Sequence, residues 1–207
     1  MYIPKDNRVP LATAQALLAR YDFGALVTLD GGAPVATHLP FLYRPEPGPL
    51  GTLSAHLARA NPQAKALESS PPVLLIVHGP HGYVSPSWYS VHPSVPTWNY
   101  VAVHVSGRAR VVSDPARTRA ILASLVDRYE AGREKPWTMD LPEPYLQAMM
   151  KQIVAFEVDV ASIEGKLKLS QNRTPEEVES VVRGLEESGD PLAAELAGVM
   201  REQRRPR

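Results

Sequence analysis

The sequence predicts a mainly β fold with flanking helices, arranged as an antiparallel barrel. Two observations point to this class: about six strand-like segments follow one another in hairpin succession, and the helical segments lie mostly at the ends of the chain. A third is the placement of the 21 prolines at the edges of these segments, which is typical of short strands joined by stiff connections. A doubly wound parallel sheet would need helices between successive strands, and the sequence does not alternate in that way.

Alternating and apolar segments place the strands. Asp30-Gly31-Gly32 is a two-residue hairpin signal between two alternating segments. The apolar run at 72–78 predicts a central strand buried on both faces, and 83–88 is a candidate continuation of it. The predicted strands cover residues 24–30, 33–43, 52–56, 72–78, 98–112 and 153–163.

Helices are predicted where apolar residues recur every three or four positions after a capping residue. Residues 10–21 begin with a proline suited to a first helical turn. Asp114-Pro115 caps the helix that carries Ile121 and Leu125. Thr174-Pro175-Glu176-Glu177 is a capping box, and Asp190-Pro191 begins the last helix. Shorter helices are predicted within 57–68 and over 143–151.

Length and composition bound the class of protein. A chain of 207 residues favours one core with a helical appendage, which we divide at 1–165 and 166–207. The 22 basic and 22 acidic residues balance, so the chain has no overall attraction to nucleic acid or to an anionic membrane. Without cysteine there is no disulfide, thiolate metal site or cysteine nucleophile. We expect the protein to be located in the cytoplasm, because the sequence contains neither a secretory leader nor an apolar run long enough to cross a membrane.

In four stretches, polar and aromatic residues replace the simple alternation of apolar and polar residues that is expected in a barrel strand. These stretches are 37–40, 54–61, 83–100 and 166–173. Their cations, amides, hydroxyls and indoles suit a flavin nucleotide, which needs donors for a phosphate and apolar or aromatic contact for its ring. The sequence contains neither of the two glycine-rich nucleotide-binding loops, the dinucleotide-binding loop and the P-loop. It also lacks the glycine–serine–glycine elbow of a serine nucleophile and the histidine spacing typical of a zinc site. The same residues also suit plainer roles, as core histidines, packed tryptophans and a solvated loop, so the residues alone predict a small-ligand-binding β-barrel.

The same stretches resemble a known family, the PaiB-type FMN-binding negative transcriptional regulators. These are relatives of the FMN-binding split barrels that include the pyridoxamine 5′-phosphate oxidases. The motifs that carry the resemblance, in chain order, are Met1-Tyr2-Ile3-Pro4, Thr37-His38-Leu39-Pro40, Gly51-Thr52-Leu53, His56-Leu57-Ala58-Arg59-Ala60-Asn61-Pro62, Gly79-Pro80, Tyr83 to Tyr89, Pro96-Thr97-Trp98-Asn99-Tyr100 and Lys168-Leu169-Ser170-Gln171-Asn172-Arg173.

The resemblance implies a six-stranded antiparallel Greek-key split β-barrel of the FMN-binding type. In that arrangement residues 1–165 form the FMN-binding domain, and the loop and helices of 166–207 pack on the barrel or on a partner chain. It also implies a homodimer with two FMN sites built from both chains.

Eleven residues are the cofactor-binding candidates that the resemblance implies. His38 and Pro40 would lie against the isoalloxazine ring. His56, Arg59 and Asn61 would approach the phosphate and ribityl chain. Trp98, Asn99 and Tyr100 would close the site. Lys168, Ser170 and Gln171, together with Lys166 and Asn172, would reach in from the partner chain.

Several functions follow from this resemblance, and we favour a flavin-binding negative regulator or sensor that acts as a homodimer. The alternative is a flavin-dependent oxidoreductase that uses FMN and NAD(P)H. A haem-binding barrel would use His56, His38 or His104 as an axial ligand. A DNA partner has the least support, because no helix-turn-helix pattern is present and the basic tail, which includes Arg204 and Arg205, is typical of a solubilising terminus.

Overall fold

The fold is built on one seven-stranded sheet. The computed structural model describes residues 1–204, and its strands follow the order β2-β1-β5-β6-β7-β4-β3 across the sheet. The β1–β2, β1–β5, β3–β4 and β4–β7 ladders are antiparallel. The strands are β1 (Phe23–Asp30), β2 (Ala33–Pro40), β3 (Leu42–Arg44), β4 (Thr52–Ala58), β5 (Pro72–Val84), β6 (Thr97–Val111) and β7 (Ile153–Lys168).

Six α-helices within residues 1–204 accompany the sheet, and two of them begin at the predicted capping residues Asp114 and Thr174. Asp114 accepts from the Ala116 amide at the start of α3, and Thr174 and Glu177 form the capping box of α5. The helix α6 runs to Arg204 and therefore includes the first part of the basic tail; Arg205 lies outside the described residues. The helices are α1 (Leu11–Arg20), α2 (Pro62–Ala66), α3 (Pro115–Glu130), α4 (Glu143–Met150), α5 (Pro175–Glu187) and α6 (Pro191–Arg204).

The β1–β2 hairpin forms as predicted. Asp30 pairs with Ala33, and Gly31 and Gly32 occupy the two turn positions with φ of 56° and 87°. Two consecutive positive φ angles are the requirement of the hairpin turn that matches the natural strand twist, and glycine adopts them without strain.

The prediction of six strands is wrong. Residues 33–43 form two strands rather than one, because Pro40 ends β2 and has no N–H with which to continue a ladder. Phe41 is buried and donates its amide to the carbonyl of Asp22, and the chain then enters β3, which pairs with β4. β2 and β3 are the two ends of the strand order, so the hydrogen-bonded sheet of the described residues is not closed.

Two other strands differ from their predicted extents. β5 continues to Val84 as a single strand, and β7 runs five residues beyond the predicted end at 163. β5 is not buried on both faces as predicted: Val73, Leu75 and Val77 are buried, whereas Leu74 and Ile76 are only half-buried. An apolar run therefore marks this strand correctly but overstates its burial.

The chain divides into two compact units that interleave along the sequence. The first unit contains Met1–Leu17, His78–Val103 and the chain from Glu164 onward, and the second contains Leu18–Val77 and His104–Ile163. The strands β5, β6 and β7 each have residues in both units. The predicted division at 165 is a different partition and stays a prediction.

Each unit has its own buried apolar contacts. In the second unit, Ile121 and Leu125 of α3 pack on Ala155 of β7. In the first unit, Trp88 lies against Gly184 of α5, where an added Cβ would meet the indole ring at 2.4 Å, so only glycine allows this close approach. No helix within residues 1–204 has the length and apolar character needed to cross a membrane.

Candidate functional site

The first unit carries an aromatic surface on one face of β5 and β6. Strand alternation places His81 and Tyr83 on one side of β5, and Trp98 and Tyr100 on one side of β6. The Trp98 ring centroid lies 6.1 Å from both the His81 and the Tyr83 ring centroids, and Trp98 is 53% exposed. We call these four residues the aromatic face. The His81 and Tyr83 rings are inclined to the Trp98 ring by 40° and 73°, so the exposed indole and the edges of its neighbours are available for contact with an aromatic ligand.

Two lysines of β7 lie beside the aromatic face. Lys166 is only 7% exposed, and its ammonium nitrogen lies 5.0 Å from the Tyr100 ring centroid and donates to the carbonyl of Tyr2 at 3.3 Å. Lys168 donates to the Thr97 hydroxyl. Within residues 1–204 neither ammonium group has a carboxylate partner. A buried cation without a counterion is costly, and an anionic ligand would offset that cost.

Asn99, Ser170 and Gln171 are engaged in bonds that hold the end of β7. The fully buried Asn99 donates its Nδ2 to the Ser170 hydroxyl at 2.9 Å, while its Oδ1 is buried and has no hydrogen-bond partner in the described part of the chain. Gln171 accepts from the Leu169 amide at 2.8 Å and donates to the Leu167 carbonyl. Ser170 has a φ of 63°, so these bonds fix a turn that few non-glycine residues adopt.

In the second unit, His38 and Pro40 lie on the outer face of β2. The register pairs Ala25 with both His38 and Ile76, so that the three residues share one face. The His38 ring is stacked on the ring of Phe23, with 6.4 Å between the centroids. His38 and Phe23 are both exposed, and they are therefore accessible for contact with a ligand or another chain.

His56 on β4 has an unusual environment. Its Nδ1 is buried and has no hydrogen-bond partner among residues 1–204, and burial lowers the pKa of the imidazole below its usual value of 6.5. A buried polar atom without a partner is rare in folded proteins and is a common feature of binding sites.

Arg59 and Asn61 follow β4 and hold neighbouring segments in place. Arg59 donates its Nε to the Lys151 carbonyl at 2.8 Å and its Nη2 to the Ile153 carbonyl at 2.7 Å. Asn61 caps α2 by accepting from the Gln63 amide at 2.9 Å, and it donates to the Thr37 hydroxyl at 2.9 Å. Both side chains are thus used at least in part by the fold itself.

With this geometry in place, comparison with known proteins identifies the family. Residues 1–162 match the family described as "Putative FMN-binding domain". The chain belongs to this FMN-binding family. The family predicted from the sequence is thereby confirmed, and a flavin is the cofactor that the family match supports. The chain is also 35% identical, over 98% of both chains, to "Protease synthase and sporulation protein PAI 2" of Bacillus subtilis.

Solved structures support a split-barrel-like fold for this FMN-binding family member. The flavocytochrome Anf3 from Azotobacter vinelandii superposes with a TM-score of 0.56 and 21% identity, over 79% of this chain and 67% of that chain. The FAD and haem binding protein of Mycobacterium smegmatis superposes with a TM-score of 0.59 and 20% identity, over 82% and 76%. At these identities the likeness concerns the fold alone.

The structure distributes the eleven candidate residues of this FMN-binding chain over both units. Five lie in the second unit and six in the first, and their roles in cofactor binding stay predictions. Sequence reasoning did not select His81 or Tyr2, although alternation along β5 could have placed His81 on the face of Tyr83. Tyr2 could not be found from spacing, because it meets Lys166 from the far end of the chain.

Proposed function

We propose that this chain is a cytoplasmic FMN-binding protein of the PaiB type that acts as a homodimeric negative regulator or flavin sensor. The family match and the similarity to the Bacillus sporulation protein support the proposal. When bound, FMN supplies the redox chemistry, and the protein supplies binding and orientation.

The observation that carries this proposal is that the ammonium groups of Lys166 and Lys168 have no carboxylate partner within residues 1–204. An FMN phosphate would supply the missing anion, and ammonium groups are good phosphate partners. Trp98 and Tyr83 would offer their faces and edges to the isoalloxazine ring. The buried Oδ1 of Asn99 adds an acceptor without a partner in the same unit. These residues therefore fit both ends of a flavin nucleotide.

The replacement Lys166→Met tests the phosphate contact. It removes the charge and keeps the shape, so we expect FMN binding to weaken by about 1.5–3 kcal/mol. Riboflavin, which has the same ring and no phosphate, should bind as it does to the unchanged protein. Both affinities can be measured by titration with quenching of flavin fluorescence.

The control for this test is Lys65→Met, at an exposed position of α2. It should leave both affinities unchanged. The free energy of unfolding of Lys166→Met should not fall, because the substitution removes a buried cation that has no carboxylate partner among the described residues. Equal losses of FMN and riboflavin affinity would contradict a phosphate contact at Lys166.

The homodimer is supported by the outer face of β1. Phe23 and Leu29 are 56% and 63% exposed, and Val27 and Leu74 continue the same face across the β1–β5 ladder. An exposed, largely apolar sheet face of this kind is typical of a surface that binds another protein chain. A second copy of the chain is the partner that we propose for it.

A further inference from the structure

A cavity of about 730 Å³ opens in the second unit. The end of β6, the first turn of α3, the helix α4 and the start of β7 form its walls. Val112, Met150 and Ile153 contribute apolar surface to it. The volume lies within the range of about 300–1,000 Å³ that is typical of small-molecule pockets.

The charged side chains around this cavity leave an excess of positive charge. Arg119 and Glu143 form an ion pair at 2.8 Å and neutralise each other. Arg59, Lys151 and Glu68 also line the cavity, and no ion pair joins any of them to another described residue. Three cations therefore face two carboxylates, which favours an anionic ligand over a cationic one.

Arg59 is the cation whose position is fixed. Its Nε and Nη2 donate to the carbonyls of Lys151 and Ile153, and its backbone amide donates to the Gln152 carbonyl at 2.7 Å. These acceptors are neutral, so they orient the guanidinium without compensating its charge. Nη1 has no partner within the described part of the chain and remains available to a ligand. A rigidly held donor loses little entropy when it binds an anion.

We propose that this cavity binds a small amphipathic anion. The apolar body of the ligand packs against Val112, Met150 and Ile153, and its single carboxylate is held by Arg59 and Lys151. Arg59 and Lys151 are both exposed, so they hold the carboxylate at the mouth of the cavity, where a charge-assisted hydrogen bond distinguishes it from a neutral molecule of the same shape. This site is additional to the flavin site proposed above, and Arg59 is the one candidate residue that lines it.

The test uses the full chain with naphthalene-2-carboxylate and, as its neutral counterpart, 2-naphthylmethanol. Titrations followed by NMR of assigned backbone amides should show shifts at 111–119 and 150–155. We expect the carboxylate to bind about tenfold more tightly than the alcohol, because it makes one additional charge-assisted contact. Equal affinities would overturn the proposal.

Two variants separate the cavity from the rest of the surface. Ala116→Trp fills the cavity from an exposed helical position, and Lys151→Glu reverses a charge; each should weaken carboxylate binding by about tenfold or more. Lys151→Glu should leave binding of the alcohol unchanged. The matched controls are Ala131→Trp and Lys65→Glu, which are exposed and do not line the cavity.

Three further results would overturn the proposal. Carboxylate binding that neither cavity variant weakens would place the ligand elsewhere. Displacement of the carboxylate by FMN would identify the cavity with the flavin site. Amide chemical shifts at 111–119 and 150–155 that change with protein concentration in the absence of ligand would identify a second copy of the chain as the occupant. Unchanged FMN affinity in both cavity variants would support two separate sites.

Discussion

At the residue scale, His56 links burial to a measurable dependence on pH. Burial lowers the pKa of its imidazole in the folded state below 6.5, so the unfolded chain binds a proton more readily. Stability from this group is therefore complete above about pH 6.5 and is lost as the pH falls through the folded-state pKa. Urea unfolding between about pH 5 and pH 8 should show this loss.

The replacement His56→Asn should remove that loss of stability in weak acid. The control is His78→Asn, at an exposed position of β5, which should leave the dependence on pH unchanged. An identical pH profile for the unchanged protein and for His56→Asn would show that His56 does not titrate in this range.

Arg59 has a structural role in the fold and a predicted role in phosphate binding, and one experiment separates the two. Arg59→Ala removes two hydrogen bonds to the α4–β7 connection, so the free energy of unfolding should fall by about 1–2 kcal/mol. A phosphate contact would in addition weaken FMN binding by about 1.5–3 kcal/mol. Denaturant unfolding measures the first effect and flavin titration the second. An unchanged FMN affinity would remove Arg59 from the flavin site and leave it to the cavity described above.

The sequence motifs identified residues that make specific hydrogen bonds, but they did not predict the partners of those bonds. Motifs selected Arg59 and Asn99, and both are held by specific hydrogen bonds. Their partners Lys151 and Ser170 lie 92 and 71 residues away along the chain, and spacing contains no information about such contacts. Lys166 was selected with its neighbours, whereas its burial without a carboxylate could be known only from the fold.

At the scale of elements, helix starts were predictable and strand ends were not. Capping at Asp114 and Thr174 is local chemistry, and it fixes where α3 and α5 begin. Strand ends depend on the partner strand. Pro40 interrupts one ladder and lets the chain enter another, which a pattern of alternating residues does not reveal.

The outer face of β1 gives a prediction at this scale. Leu29→Glu places a charge within the exposed apolar face. The dissociation constant of a dimer that uses this face should therefore rise at least tenfold, which corresponds to about 1.4 kcal/mol. Sedimentation at several concentrations measures the dimer. The control Val95→Glu changes a residue that is 72% exposed in the first unit and should have no effect. A dimer unaffected by Leu29→Glu would place the interface elsewhere.

At the scale of the whole molecule, neutral charge and the family match together define what the chain is expected to bind. The 22 basic and 22 acidic residues give the chain no general attraction to DNA, so DNA binding would need a local basic patch. The mainly β class with flanking helices was predictable, because most strands and helices within residues 1–204 leave strong periodic patterns, whereas the number of strands and the open sheet were not. The partition into two interleaved units was not, because it depends on which halves of β5, β6 and β7 pack together.

The most direct test of flavin binding is the absorbance spectrum of the purified protein, before and after equilibrium dialysis against FMN. We predict flavin bands at near-equimolar occupancy per chain, and oxidation of added NAD(P)H by that sample would distinguish an oxidoreductase from a sensor. A Soret band in place of flavin bands would identify a haem protein instead. A spectrum without flavin, together with no uptake of FMN on dialysis, would contradict the account: the chain would keep the fold of its family without the cofactor.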